Sequence, residues 1–259
     1  MEKEIKEHYK KNGWVIVRNF FRKKYIAKIK KELLKTTKKK KSFCYYETIN
    51  GKKKLRRIEK VTDYSKSCKN IICSKQTLNL INKLGQKRYE LFKDKLNFKF
   101  PGGKGYLPHI DGHFYWKDKN KKYQNGWKKY SSDFINLVLP LEKTNIANGC
   151  IYVSNKKNTN RIGNSFSKIT NRLTLNTPNI KKKDINKFKF HPIELKVGDI
   201  CFFNWKCAHY SENNQSSKSR MILYATYCKK NKNKDLRKLY YFDKQNSYNN
   251  KKNKSLLFT

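Results

Sequence analysis

No run of about 18 apolar residues occurs anywhere in this 259-residue chain, so no segment of it is expected to span a membrane as a helix. The opening residues, MEKEIKEHYKKNG, are charged from the second position and lack an apolar centre, which argues against a secretory leader. No C-x-x-C pair is found among the seven cysteines, and seven is odd. A disulfide framework is therefore not expected, and the pattern reads as free thiols in a reducing, cytoplasmic setting. Acidic side chains are scarce: 19 Asp and Glu stand against 63 Lys and Arg, a formal net charge of +44. Taken alone, that charge would point to nucleic acid or an anionic membrane surface. Lysine, however, far outnumbers arginine, is scattered along the whole chain, and keeps company with abundant Asn, Ile, Tyr and Phe. That is the blend an AT-rich genome writes at tolerant surface positions, and it is preferred here over attraction of an anionic substrate or polyanion. The salt dependence of KM separates the two explanations.

What remains is enough for a core, with 37% hydrophobic and 14% aromatic residues. The length suits a single domain. That domain is expected over residues 1–246: a helical and hairpin N-terminal part (1–87), a barrel core (88–229) and a C-terminal extension (230–246). Residues 247–259 form a basic tail expected to be disordered. Helical spacing is read over 2–11, 22–34, 66–73 and 75–84. Asn50-Gly51 between 43–49 and 55–61 signals a tight hairpin, and one of Arg56 and Arg57 on its return strand should face inward. Many short strands with turn signals between them argue a mainly β fold with flanking helices, a double-stranded β-helix or jelly roll. Residues 156–187, rich in Asn, Lys, Thr and Ser, read as a solvated loop or insert, with a lid over the site as the functional alternative.

Two segments carry chemistry. Residues 198–220, GDICFFNWKCAHYSENNQSSKSR, run from a Gly-Asp turn into an aromatic strand, present His209, and close on Arg220 at the start of a further strand. A hundred residues earlier, Pro108-His109-Ile110-Asp111 sets an imidazole and a carboxylate two apart, on one side of a strand. Together with His209 this makes two His and one carboxylate, the facial triad of non-haem Fe(II) oxygenases, which leaves three positions on the metal open. PGGKG (101–105) lacks the following Lys-Ser/Thr and helix of a phosphate loop and reads as a turn. Asn136, polar within the apolar strand 133–141, either lines a polar cavity or is a satisfied barrel residue. His113, Tyr115 and Trp116 are substrate-pocket walls or ordinary aromatic packing.

The blocks FKFPGGKGYLPHIDGHFYW (98–116), LPLEKTNIANGCIYVSN (139–155) and 198–220 resemble the phytanoyl-CoA dioxygenase family of Fe(II)- and 2-oxoglutarate-dependent oxygenases, with His209, Ser211, Asn214, Ser216 and Arg220 at family spacing. Weaker likeness extends to 55–64 and 226–244, and within the family most to members acting on small polar molecules, including aminophosphonates. Ile110 departs from the polar residue usual between the first His and the Asp. The resemblance implies that His109, Asp111 and His209 bind Fe(II), and that Arg220 clamps the distal carboxylate of 2-oxoglutarate, helped by Ser211. Arg57, Lys95, Lys99 and Asn136 are candidates for the C1 end. O2 is the second co-substrate, and the products are succinate, CO2 and a hydroxylated small molecule. Phosphonate, phosphate or CoA ester substrates would suit the basic surface. Because Asp111 is present where related halogenases lack the carboxylate, hydroxylation is favoured. The two competing readings are a zinc hydrolase, which has no use for Arg220, and a non-catalytic polyanion or nucleic-acid binder on the same barrel.

Overall fold

The computed structural model describes residues 2–37, 43–113, 115–118, 120–155 and 179–246, with Tyr115 and Trp116 described by their backbone alone. The expectations for 156–178 and for the tail 247–259 lie outside the described residues.

The N-terminal part contributes helix α1 (Glu2–Asn12), strand β1 (Trp14–Val17), helix α2 (Lys23–Thr37), the hairpin β2 (Cys44–Ile49) and β3 (Lys52–Glu59), and helices α3 (Lys66–Ile72) and α4 (Lys75–Gly85). Asn50 and Gly51 both have positive φ, 47° and 73°, as the two-residue hairpin turn demands. Ser65 and Ser74 start α3 and α4 by accepting the amide hydrogens of Cys68 and Thr77. The barrel follows with β4 (Tyr89–Lys99), β5 (Tyr106–His109), β6 (Tyr115–Lys117), β7 (Tyr123–Asn125), β8 (Phe134–Pro140), β9 (Ile151–Ser154), β10 (Phe190–Ile193), β11 (Ile200–Asn204), β12 (His209–Ser211) and β13 (Arg220–Lys229). Helix α5 (Leu236–Asn246) ends the described chain.

Nine of these strands and the hairpin form two antiparallel sheets of the jelly-roll kind: seven strands in the order β1-β11-β8-β13-β4-β3-β2, and four in the order β10-β9-β12-β5. β6 and β7 form a separate small hairpin. The larger sheet has two chemically opposite faces, because alternate residues of a strand point to opposite sides. Its outer face carries Leu96, Phe98, Leu137, Leu139, Phe202 and Leu223, packed on Ile26, Ile29, Leu33, Ile71, Ile72 and Ile81 of the helices. Its inner face carries Lys93, Lys95, Asn97 and Lys99 of β4, set by register opposite Thr226, Tyr224, Ile222 and Arg220 of β13. Between the sheets, Val138, Val153, Ile193, Phe203 and Ile222 fill one part of the interior. One end is closed by Phe92, Trp127, Tyr130, Phe134 and Trp205, joined by Leu236, Tyr240 and Tyr241 from α5.

The structure corrects the sequence reading in three places. β5 ends at His109, so Asp111 stands in the following turn and not on the same strand face. The described end of the 156–187 segment is not a solvated loop: the Ile180 amide donates to the Pro108 carbonyl at 2.8 Å, and Ile180 is buried with Ile110, Phe188 and Ala208. Helix α5 was not foreseen, although its buried Leu236, Tyr240 and Tyr241 lie at helical spacing, because the lysines between them hide the stripe.

Candidate active site

β5 and β12 lie side by side in the smaller sheet with His109 paired to His209, so the two imidazoles meet at a ring-centroid distance of 4.3 Å. Each ring is oriented by its own backbone. His109 Nδ1 lies 2.6 Å from the Leu107 carbonyl and His209 Nδ1 3.1 Å from the Cys207 carbonyl. A carbonyl can only accept, so both Nδ1 atoms carry hydrogen and both Nε2 atoms keep a free lone pair. Asp111 reaches the same point from the turn beyond β5. Gly112 there has φ +70°, and a Cβ on it would come within 2.7 Å of the Trp127 ring, so only glycine lets the turn settle on that indole. Asn136 on β8 then donates from Nδ2 to Asp111 Oδ2 at 3.0 Å while accepting from Thr226 Oγ1 at 2.7 Å. Both alternatives for Asn136 thus hold at once: it is satisfied, and it faces the polar interior, where it holds the carboxylate.

One ligand atom from each of His109, Asp111 and His209 lies within 4.8 Å of the others, a spacing that could hold a metal ion. The electrostatics suit a cation. Burial, and then the neighbouring His209 ring, push His109 down to about 3. Burial also lowers His209, against the opposing pull of Asp111. Burial would raise Asp111, yet His209, Lys93 and Lys95 outweigh it and hold the carboxyl down to about 2. At neutral pH the cluster is therefore two neutral imidazoles and one carboxylate.

Arg220 opens β13 opposite Lys99, at 3% exposure, and its Nε and Nη1 have no hydrogen-bond partner among the described residues. Unpartnered buried guanidinium donors are costly unless a ligand oxyanion completes them. Beside Arg220, Lys99 Nζ reaches Ser211 Oγ at 2.9 Å, Glu212 O at 2.5 Å and Gly149 O at 3.2 Å. Burial, and then the Arg220 charge, push the Lys99 amine down to about 6. Lys99 thus stands with Ser211 beside Arg220.

The remaining candidates divide. Arg57 faces inward, with its Nε 3.3 Å from Glu59 Oε1 and its guanidinium 4.0 Å from the Tyr45 ring centroid. Lys95 lies over the Tyr224 ring at 5.1 Å. His113 is exposed after the Asp111 turn, and the side chains of Tyr115 and Trp116 lie outside the described residues. Where the sequence leads one to expect one of Arg56 and Arg57 inward, both are, and Tyr106 is a further inward residue that the sequence does not mark. A bulge in the β2–β3 pairing brings Arg56 as well as Arg57 to the interior side, where Arg56 donates to the Tyr106 hydroxyl at 3.1 Å and to the Gly105 carbonyl at 2.8 Å. An irregularity in the β5–β12 register likewise turns Tyr106 inward together with His109. Burial would raise the Tyr106 phenol, but Arg57, Arg56 and Lys95 lower it overall. The meeting of Arg56 and Tyr106 depends on register.

Comparison with known proteins places the chain among oxygenases. Residues 9–222 match the profile of the phytanoyl-CoA dioxygenase family. A 2-aminoethylphosphonate dioxygenase from an uncultured bacterium, HF130_AEPn_1, is 29% identical over 230 residues, 86% of this chain and 80% of that protein. A methylphosphonate hydroxylase from Gimesia maris is 26% identical over 159 residues, 61% of this chain and 52% of that protein. In fold, the chain is similar to the epimerase SnoN of nogalamycin biosynthesis, solved with Fe3+, alpha-ketoglutarate and nogalamycin RO. The TM-score is 0.69 at 12% identity, over 88% of this chain and 83% of that one.

Proposed function

This chain belongs to the phytanoyl-CoA dioxygenase family, and from that premise we propose that His109, Asp111 and His209 hold the iron of an enzyme that hydroxylates a small phosphonate. The protein is a non-haem, 2-oxoglutarate-dependent iron dioxygenase, with Fe(II), 2-oxoglutarate and O2 as its requirements. Bound iron supplies the chemistry that couples decarboxylation of 2-oxoglutarate to succinate and CO2 with hydroxylation of the substrate. The chain's own residues do the rest. The Leu107 and Cys207 carbonyls fix the tautomers that offer Nε2 to the metal. Asn136 turns Asp111 toward it. Arg220 offers free donors at Nε and at Nη1 to an oxyanion, and Ser211, held by Lys99, adds its hydroxyl. The Asp111 carboxylate fills the position that related halogenases leave open for halide, which favours hydroxylation.

The observation carrying this reading is the convergence of three ligand atoms within 4.8 Å, together with a buried guanidinium on the inner face of the larger sheet whose Nε and Nη1 are unpartnered among the described residues. A zinc hydrolase leaves those donors without a purpose. The polyanion-binding alternative has no support among the relatives, which are named as enzymes. Phosphate and CoA esters are the competing anionic substrates, and among the described residues no helix is long and apolar enough to cross a membrane. The test is succinate formation from 2-oxoglutarate under Fe(II) and O2 with a panel of phosphonates, with His109→Ala as control. Iron-dependent succinate, stimulated by a phosphonate and lost in the variant, is expected. No succinate and no 2-oxoglutarate binding would overturn the assignment.

A further inference from the structure

The inner face of the larger sheet carries more basic side chains than the iron and 2-oxoglutarate site uses. Arg56, Arg57, Lys93, Lys95, Lys99 and Arg220 are brought inward along β3, β4 and β13, against the carboxylates of Glu47, Glu59 and Asp111. Arg56 is committed to Glu47 at 2.7 Å. Glu59 is committed, because it pairs with Lys244 at 2.6 Å and with Arg57 at 3.3 Å. Asp111 is committed to the metal site. Lys99 and Arg220 stand together at the far carboxylate of the co-substrate. That leaves Lys93 and Lys95, neither of which makes a salt bridge or a hydrogen bond among the described residues. Both are held by aromatic faces: the Lys93 ammonium is 4.2 Å from the Trp127 ring centroid and that of Lys95 is 5.1 Å from Tyr224. An aromatic face orients an ammonium while leaving its N–H donors free.

Their position is set by register. Lys93 pairs with Thr226, and Thr226 pairs with Asn136, the residue that holds Asp111. Trp127, which supports Lys93, is also the ring on which the Asp111-Gly112 turn rests. The two lysines therefore lie beside the metal ligands and away from the Arg220 end. Burial, and then the Lys95 charge, push the Lys93 amine down to about 7, against the opposing pull of Asp111 and Glu59, so an arriving anion is what would hold it charged.

We propose that Lys93 and Lys95 are the seat of the substrate's dianionic phosphonate group, with Trp127 and Tyr224 as the platforms that aim them. This rests on the oxygenase reading above and adds the residues that select the substrate. The test is calorimetric titration of the anaerobic Fe(II)-2-oxoglutarate enzyme with methylphosphonate, using dimethyl methylphosphonate as a neutral control of similar shape. Methylphosphonate should bind and the neutral ester should not. Lys93→Gln and Lys95→Gln should each weaken methylphosphonate at least tenfold, Lys93→Arg should restore most of that loss, and 2-oxoglutarate affinity should change less than threefold in all three. Methylphosphonate binding that is absent from the wild type or unchanged in both Gln variants would overturn the seat while leaving the oxygenase standing. So would 2-oxoglutarate affinity falling in parallel with methylphosphonate affinity, since the lysines would then serve the co-substrate. Absence of iron-dependent 2-oxoglutarate binding in the wild type would overturn both.

Discussion

Replacing Arg220 by lysine tests the co-substrate end of the cavity directly. In the free protein this guanidinium is 3% exposed, with Nε and Nη1 unpartnered and the Lys99 amine close by. If the guanidinium takes the distal carboxylate of 2-oxoglutarate with two of its N–H groups, lysine can supply only one of the two bonds. A hydrogen bond to a charged group is worth about 1.5–3 kcal/mol. At about 1.4 kcal/mol per factor of ten, Arg220→Lys should weaken 2-oxoglutarate by roughly 10- to 150-fold. Arg220→Met removes both bonds and leaves the carboxylate unpaired, a loss of about 2–5 kcal/mol, or roughly 30- to 4,000-fold. The same variant should behave differently without ligand. It deletes a buried charge that has no counterion, so the melting temperature of the free protein should hold or rise. Saturating 2-oxoglutarate at a hundred times its Kd should stabilise the wild type by about 2.7 kcal/mol. For a chain of this length that is about 5–10 °C. Thermal melts with and without 2-oxoglutarate, together with direct titration, measure all of these quantities. An Arg220→Met protein that binds 2-oxoglutarate within threefold of wild type would refute the assignment.

Asn136→Ala frees Asp111 to rotate and should lower iron affinity about 10- to 100-fold, as loss of a partner behind a metal ligand typically does, while the KM for 2-oxoglutarate at saturating iron stays within threefold; an unchanged iron titration would count against it. Because the Lys99 amine is pushed down to about 6, it is largely neutral at pH 7–8, and a dianion arriving beside it favours the charged form. Binding of 2-oxoglutarate should then take up a proton, and affinity should rise as the pH falls toward 6; equal binding enthalpies in buffers of different ionisation enthalpy would refute this. Arg237 holds the fully buried Asp94 carboxylate at 2.6 Å and anchors the start of α5 to β4. Arg237→Ala should cost about 3–5 kcal/mol, lowering the melting temperature by on the order of 10 °C. The loss should shrink in the Asp94→Ala background, and equal losses in both backgrounds would show that the pair does not interact.

The three converging groups and Arg220 were legible because they lie in two short segments whose residue types and spacing are unusual. The reason given for one of them did not survive. Asp111 joins His109 through a turn that a glycine lays on Trp127, and not through strand alternation. Helices and hairpin were readable because their signals are local: serine caps, Asn-Gly at positive φ, and apolar residues at helical spacing. That both Arg56 and Arg57, and Tyr106 with them, reach the interior was not readable, since it depends on register irregularities that a period of two cannot anticipate. Lys93 was lost among 63 basic residues, where nothing in the chain itself separates an inward lysine from a solvated one. Asn136 was recognised as out of place, but its partner Asp111 is 25 residues away and only the fold joins them.

β4 places Leu96 and Phe98 against the helices and Lys95, Asn97 and Lys99 toward the reaction chamber. Adding or deleting a single residue near its middle would exchange those two sets over half the strand, driving ammonium groups into oil and leucines into the chamber. Evolution can therefore retune this strand only by substitution at alternate positions, never by changing its length. New specificities in this lineage should accordingly be written at positions 93 and 95, while changes in length are confined to the loops at the strand's ends.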